Sequence, residues 1–152
     1  MKKGDKASDF TLQDSSEKNI SLKDFKGKNV VLYFYPKDDT PGCTIEAIDF
    51  SGLKKEFAAA DTVILGVSKD TCKSHQKFVD KQGLTITLLS DPEHALQEKY
   101  GVWGKKKFMG REFMGTLRTT FLIDKTGKVA HVWESVSVKG HAAEVLEEAK
   151  KL

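Results

Sequence analysis

The chain has 152 residues, enough for one hydrophobic core and too few for two comfortable domains, so a single domain over residues 1–152 is predicted. At 39% hydrophobic and 31% charged residues, with 12 Gly and 3 Pro, it is not collagen-like, mucin-like or wholly disordered. The net charge of +3 is spread through mixed signs, which argues against a nucleic-acid partner, and no run of about 18 apolar residues offers a membrane span.

Phe10-Thr11-Leu12 reads as a short strand, and Ser21 to Phe25 as a single helical turn stopped by Gly27. Asn29 to Tyr35 holds the longest apolar run and is predicted to be a central strand covered on both faces. Pro36 ends it, and after a polar loop Thr40 and Pro41 open a helix as N-cap and first helical residue. The spacing of Ala47, Phe50, Leu53 and Phe57 predicts that this helix runs to about Ala59 with one inward face.

Thr62 to Val67 is a buried strand. Ser68 is the predicted cap of a helix over about 70–81, which Gly83 closes. Ile86 to Leu89 is a further strand, and Asp91-Pro92-Glu93 starts a short helix reaching Tyr100. Residues 102–115, rich in Gly and Lys and without a clear period, read as mostly loop. Thr116–Ile123 and Lys128–Trp133 flank a Gly-containing turn as a β-hairpin. A last helix over about 139–150 turns Ala142, Val145, Leu146 and Ala149 inward. This alternation predicts an α/β sandwich around a mixed sheet.

Chemistry concentrates where the central strand ends and Cys43 falls in the first turn of a helix. Free N–H groups and the positive end of the helix dipole gather there, and both favour a thiolate. A small buried residue filling a gap behind the helix is the competing reading of Cys43. Cys43 and Cys72 lie 29 residues apart, so there is no Cys-x-x-Cys pair, and a phosphatase-type Cys-x5-Arg loop fails at Asp49. No metal-protease, phosphate-loop, dinucleotide or serine-hydrolase motif appears. His75, His94, His131 and His141 lack ligand spacing and read as surface or helix-terminal residues, so no metal is predicted. Glu46 and Asp49 read as a solvated helix face.

Pro36-x3-Thr40-x2-Cys43 resembles the peroxiredoxin active-site signature. The surrounding Phe34-Tyr35-Pro36-Lys37-Asp38-Asp39-Thr40-Pro41-Gly42-Cys43-Thr44 is similar to the bacterioferritin-comigratory-protein, or peroxiredoxin Q, branch. The likeness continues through Gly66-Val67-Ser68-Lys69-Asp70, Leu89-Ser90-Asp91 and Arg118-Thr119-Thr120-Phe121-Leu122-Ile123-Asp124.

With only two cysteines, a reducing cytoplasm is the default expectation; the resemblance implies a thioredoxin-like fold and a monomeric, thiol-dependent peroxidase without a cofactor. Its partners would be hydroperoxides and thioredoxin or another thiol reductant. Cys43 would be the peroxidatic nucleophile. Thr40 would orient peroxide and thiolate, Pro36 would shield the pocket, Arg118 would be the active-site arginine, and Glu46 would support it. A non-enzymatic peroxide sensor or thiol-dependent binding module on the same fold is the alternative, and turnover separates the two.

Ile48 stands where many members of the branch carry a resolving cysteine, five residues after the first. Cys72 is a candidate substitute; a one-cysteine cycle with an external thiol and an intermolecular bridge are the other expectations. Lys105-Lys106-Lys107 with Arg111 reads as a solvated loop or a docking surface for an acidic reductant. Trp103, Phe108, Phe113 and Met114 read as a pocket cover, a partner surface or a satellite core.

Overall fold

Asn29–Phe34 is the residue run around which the structure is built: Val31 and Tyr33 point to one side of the sheet and Val30, Leu32 and Phe34 to the other. A strand apolar from Val30 to Phe34 must be covered on both faces, as this one is. The computed structural model describes residues 1–152, the side chain of Phe108 excepted.

Along the chain the elements are β1 (Thr11–Asp14), β2 (Asn19–Ser21), a 3-10 turn (Leu22–Phe25), β3 (Asn29–Phe34), α1 (Pro41–Gly52), α2 (Lys54–Ala59), β4 (Thr62–Ser68) and α3 (Cys72–Gln82). There follow β5 (Thr87–Ser90), α4 (Ala95–Lys99), β6 (Trp103–Phe108), β7 (Arg111–Thr116), β8 (Thr119–Ile123), β9 (Val129–Trp133) and α5 (His141–Lys150). Seven strands form one sheet in the order β2-β1-β5-β4-β3-β8-β9. The pairs β3/β4 and β4/β5 are parallel, while β8 joins β3 antiparallel and β1 joins β5 antiparallel.

Phe50, Phe57, Phe78, Val145 and Leu146 from α1, α2, α3 and α5 cover the Tyr33 face. Phe10, Leu96 and Tyr100 cover the Phe34 face. This is the predicted α/β sandwich with a mixed sheet, in a thioredoxin-like arrangement.

Four local expectations are corrected. The helix predicted to run from Pro41 to Ala59 is two helices, broken at Leu53 (φ −102°, ψ 7°) just after Gly52, a poor helix former. Thr71 rather than Ser68 caps α3, accepting the Ser74 N–H at 3.1 Å. The short helix after β5 begins at Ala95, and the Asp91 carboxylate accepts the N–H groups of Leu96 and Gln97. Residues 102–115 are not mostly loop: β6 and β7 form a two-stranded hairpin, with Lys106 opposite Phe113. Its burial pattern is largely exposed, so no apolar alternation marks it in the sequence.

Gly66 of β4 lies opposite Tyr33 of β3, and a Cβ there would fall 2.7 Å from the Tyr33 ring and 2.9 Å from Leu88. Gly66→Ala is therefore expected to destabilise the fold by about 1–3 kcal/mol, since both neighbouring side chains are buried in the packed core and have little room to give way. Urea unfolding reads this directly, and an unchanged midpoint would show that the core yields there.

Candidate active site

Pro36, half-buried, follows Tyr35 and ends the central strand; the chain then turns through Lys37 and Asp38 to Asp39, whose φ is +59°. Thr40 takes extended geometry as the N-cap of α1, with Pro41 in the first turn, as predicted. Its side chain makes no cap bond; the Oγ1 hydroxyl donates instead to the Lys37 carbonyl at 2.8 Å. The first bond of α1 runs from the Thr44 N–H to the Thr40 carbonyl at 2.8 Å, so Gly42 and Cys43 precede the helical ladder and have N–H groups with no helical partner.

Cys43 is 1% exposed, and its Sγ accepts a hydrogen bond from Arg118 Nη2 at 3.1 Å. Arg118 arrives from the short connection between β7 and β8, 75 residues along the chain. It passes Gly42 closely: a Cβ at that position would sit in van der Waals contact with Nη2, at 3.4 Å. The other arm of the fork, Nη1, donates to Glu46 Oε1 at 2.7 Å. Glu46 sits three residues after Cys43, on the same face of α1.

Glu46 is thus not part of a solvated face. It is 1% exposed, and its second oxygen has no hydrogen-bond partner among the described residues. Burial pushes its carboxyl up to about 7, against the opposing pull of the Arg118 charge and hydrogen bond. Burial alone would depress the Arg118 guanidinium, but Glu46 and Cys43 together hold it above its ordinary value. Arg118 therefore stays a fixed cation between a sulfur and a carboxyl.

Lys106 was hidden in a lysine run. Along β6 the exposed Lys105 and Lys107 alternate with a half-buried Lys106. Burial and the Arg118 charge press its ammonium below the usual lysine range, with Cys43 pulling the other way, so it is electrostatically coupled to the site. Trp103 lies elsewhere, stacked on His94 at 3.9 Å. Phe113 and Met114 are about half exposed, at 47% and 50%, and the side chain of Phe108 lies outside the described residues.

Cys72 is not beside Cys43. Its Sγ lies 3.8 Å from Gln13 Oε1 on β1, while Cys43 follows β3, three places away in the sheet. Both are free thiols, one beside Arg118 and the other beside Gln13.

Of the histidines expected at the surface or at helix ends, His141 does open α5 while His75 departs from the expectation, and both are buried. His75 is fully buried, and His141, though it opens α5, is 3% exposed with Nε2 2.8 Å from Thr120 Oγ1. Burial pushes His141 down to about 4, aided by Arg118 and opposed by Glu144.

Glu46 and His141 give opposing pH dependences. The raised Glu46 stabilises the fold fully below about pH 4.5 and loses that contribution as pH rises through about 7. The depressed His141 contributes fully above about 6.5 and loses it as pH falls through about 4. Each slope is at most about 1.4 kcal/mol per pH unit, and they cancel between about pH 4.5 and 6.5. Melting temperature should therefore be nearly flat across that window. Glu46→Gln should make it rise with pH, and His141→Asn should make it fall. Parallel curves for all three proteins would refute the assignment.

The model of the AhpC/TSA family matches residues 3–132. Peroxiredoxin Bcp of Bacillus subtilis is 49% identical over 149 residues, covering 98% of this chain and 95% of that protein. Among solved structures, a mutant of peroxiredoxin Q from Xylella fastidiosa superposes with a TM-score of 0.94 at 37% identity, covering 99% of this chain and 96% of the other. A structure of the Xanthomonas campestris bacterioferritin comigratory protein, described for its alkyl peroxide reduction activity, superposes with a TM-score of 0.89 at 42% identity over 93% and 90% of the two chains.

Proposed function

The chain belongs to the AhpC/TSA family, in its Bcp/peroxiredoxin Q branch, and is a thiol-based peroxidase; from that premise we propose that Cys43 is the nucleophile, in a cycle that uses no second cysteine of the chain. The observation that carries the assignment is Arg118 Nη2 at 3.1 Å from a buried Sγ in the first turn of α1. The guanidinium is a donor already aimed at the sulfur, and the unpaired N–H groups at the start of α1 face the same side with the positive end of the helix dipole.

The Cys43 thiolate attacks the terminal oxygen of ROOH. The S–O bond forms as the O–O bond breaks, and the electron pair leaves on RO⁻, which takes a proton to become ROH. Negative charge thus migrates from sulfur to the leaving oxygen, and a donor already fixed beside the sulfur stabilises it without reorganising. Thr40, turned toward Lys37 as a donor, keeps its oxygen lone pairs for the incoming peroxide O–H. Pro36 closes the strand side of the pocket.

The sulfenic acid then condenses with an external thiol, releasing water and leaving a mixed disulfide; a second thiol frees Cys43. Thioredoxin or a small thiol in a reducing cytoplasm would supply both. Hydrogen peroxide and organic hydroperoxides are the proposed substrates, the second in keeping with the alkyl peroxide activity of the Xanthomonas relative.

The test is one equivalent of hydrogen peroxide added to fully reduced protein with a sulfenic-acid trap, followed by intact mass and non-reducing peptide mapping. A trapped adduct on Cys43 alone is expected. A Cys43–Cys72 peptide would overturn the external-thiol cycle, and modification of Cys72 with Cys43 untouched would overturn the nucleophile.

A further inference from the structure

Outside the Cys43, Glu46 and Arg118 cluster, the densest set of ionisable groups is Asp38, Asp70 and His75, whose ligand-type atoms all lie within 4.8 Å of one another. As a metal site it is poorly disposed, because hydrogen bonds already engage those atoms. Asp38 Oδ1 accepts from the Tyr35 hydroxyl at 2.6 Å, and Oδ2 meets Ser74 Oγ at 2.8 Å and His75 Nδ1 at 2.7 Å. Asp70 Oδ2 accepts the Asp38 backbone N–H at 2.8 Å and the Ser68 hydroxyl at 2.7 Å. Strands β3 and β4, helix α3 and the loop before Cys43 all meet at this one aspartate.

His75 decides how that knot is held. It is 0% exposed, and its Nε2 lies 2.9 Å from the Leu89 carbonyl. A carbonyl only accepts, so Nε2 carries a hydrogen. The opposite nitrogen faces a carboxyl oxygen at 2.7 Å, and a proton must lie between them, since two lone pairs at that distance would repel. The contact is an imidazolium with a carboxylate, or an imidazole with a carboxylic acid; in both forms it pins Asp38 to α3.

We propose that His75 is a positioning residue for peroxide reduction: through its Nδ1 contact with Asp38 it fixes the 36–40 loop that presents Thr40 and the first turn of α1 to the peroxide. The inference rests on the reading of Cys43 as nucleophile. Only Asp39, Thr40, Pro41 and Gly42 separate Asp38 from Cys43. Asp39 holds a positive φ, and its other visible restraint is an exposed bond from Lys81. Asp38 is therefore the loop's buried anchor. An in-line attack is sensitive to such anchoring, because a displacement of about 1 Å can cost roughly 100-fold in rate.

The two nitrogens of His75 can be separated by substitution. His75→Asn places an amide N–H near the Nδ1 position, facing Asp38, whereas His75→Gln places it near Nε2, facing the Leu89 carbonyl. Each keeps one of the two bonds, so a merely structural role would make them alike.

Stopped-flow oxidation of Cys43 by hydrogen peroxide, measured on folded protein with reversible urea unfolding alongside, separates the cases. His75→Gln should react about 10- to 100-fold more slowly, and His75→Asn should recover most of the wild-type rate. Equal rates for the two variants, whether both fast or both slow, would overturn the proposal. If His75→Gln does not fold, His75→Asn decides: a rate within a few-fold of the wild type although the Leu89 bond is gone supports the Nδ1 contact as the anchor, and a rate about 10- to 100-fold lower in folded protein overturns it. Failure of wild-type Cys43 to react would instead refute the nucleophile assignment and this proposal with it.

Discussion

Cys43→Ser should abolish peroxide turnover, with a loss of about 10³-fold or more. The oxygen replacing Sγ is nearly isosteric, and the Arg118 contact at 3.1 Å gives it a donor, so the fold should survive the change. What disappears is the nucleophile. A serine hydroxyl stays protonated beside a guanidinium, whereas a thiol is by its chemistry the far stronger acid and supplies the thiolate that attacks the O–O bond. Cys72→Ser should keep turnover when a small thiol is the reductant, because Cys72 sits across the sheet beside Gln13. Peroxide consumption with both variants gives the answer in one assay. Residual turnover in Cys43→Ser together with loss in Cys72→Ser would move the active thiol to α3.

The periodicity of the chain made most of this architecture readable, because burial repeats where the sequence repeats. Val30 to Phe34 has no polar position and lies between two layers; Ala142, Val145, Leu146 and Ala149 share one face of α5 and meet the core there. The β6–β7 hairpin escaped for the converse reason. Its strands are held by backbone pairing while most of their side chains face outward, so no hydrophobic alternation records them.

At the site, Cys43 and Thr40 were legible from helix-start chemistry, but Arg118 entered only through the resemblance. Nothing local in Leu117-Arg118-Thr119 shows that a guanidinium will cross to a helix 75 residues earlier. Glu46 illustrates the same limit: three residues after Cys43, an acid belongs equally to an exposed first turn and to a buried ion pair. His75 was misread because a histidine's burial depends on acceptors brought by other elements, here Asp38 and the Leu89 carbonyl.

Arg118→Met should slow oxidation of Cys43 by about 10²–10³-fold, the usual cost of removing one fixed donor from developing negative charge. Arg118→Lys should recover only part of this, since a single ammonium cannot reproduce a planar fork that reaches Glu46 at 2.7 Å and Cys43 at 3.1 Å together. The loss in Arg118→Met has a second consequence with its own pH signature. Arg118 pulls the Glu46 carboxyl down against burial, so without it the carboxyl rises above about 7 and stays neutral further into alkaline solution. A neutral buried acid needs no cation. The variant should accordingly melt close to the wild type near pH 6 and fall behind it as pH rises above about 7, where the wild type ionises Glu46 against its partner and the variant cannot. Adding Glu46→Gln to Arg118→Met should remove the alkaline deficit while leaving the rate low. If the double variant regained speed as well, Arg118 would serve catalysis only by neutralising Glu46; if it regained stability alone, the guanidinium acts on the reacting atoms themselves.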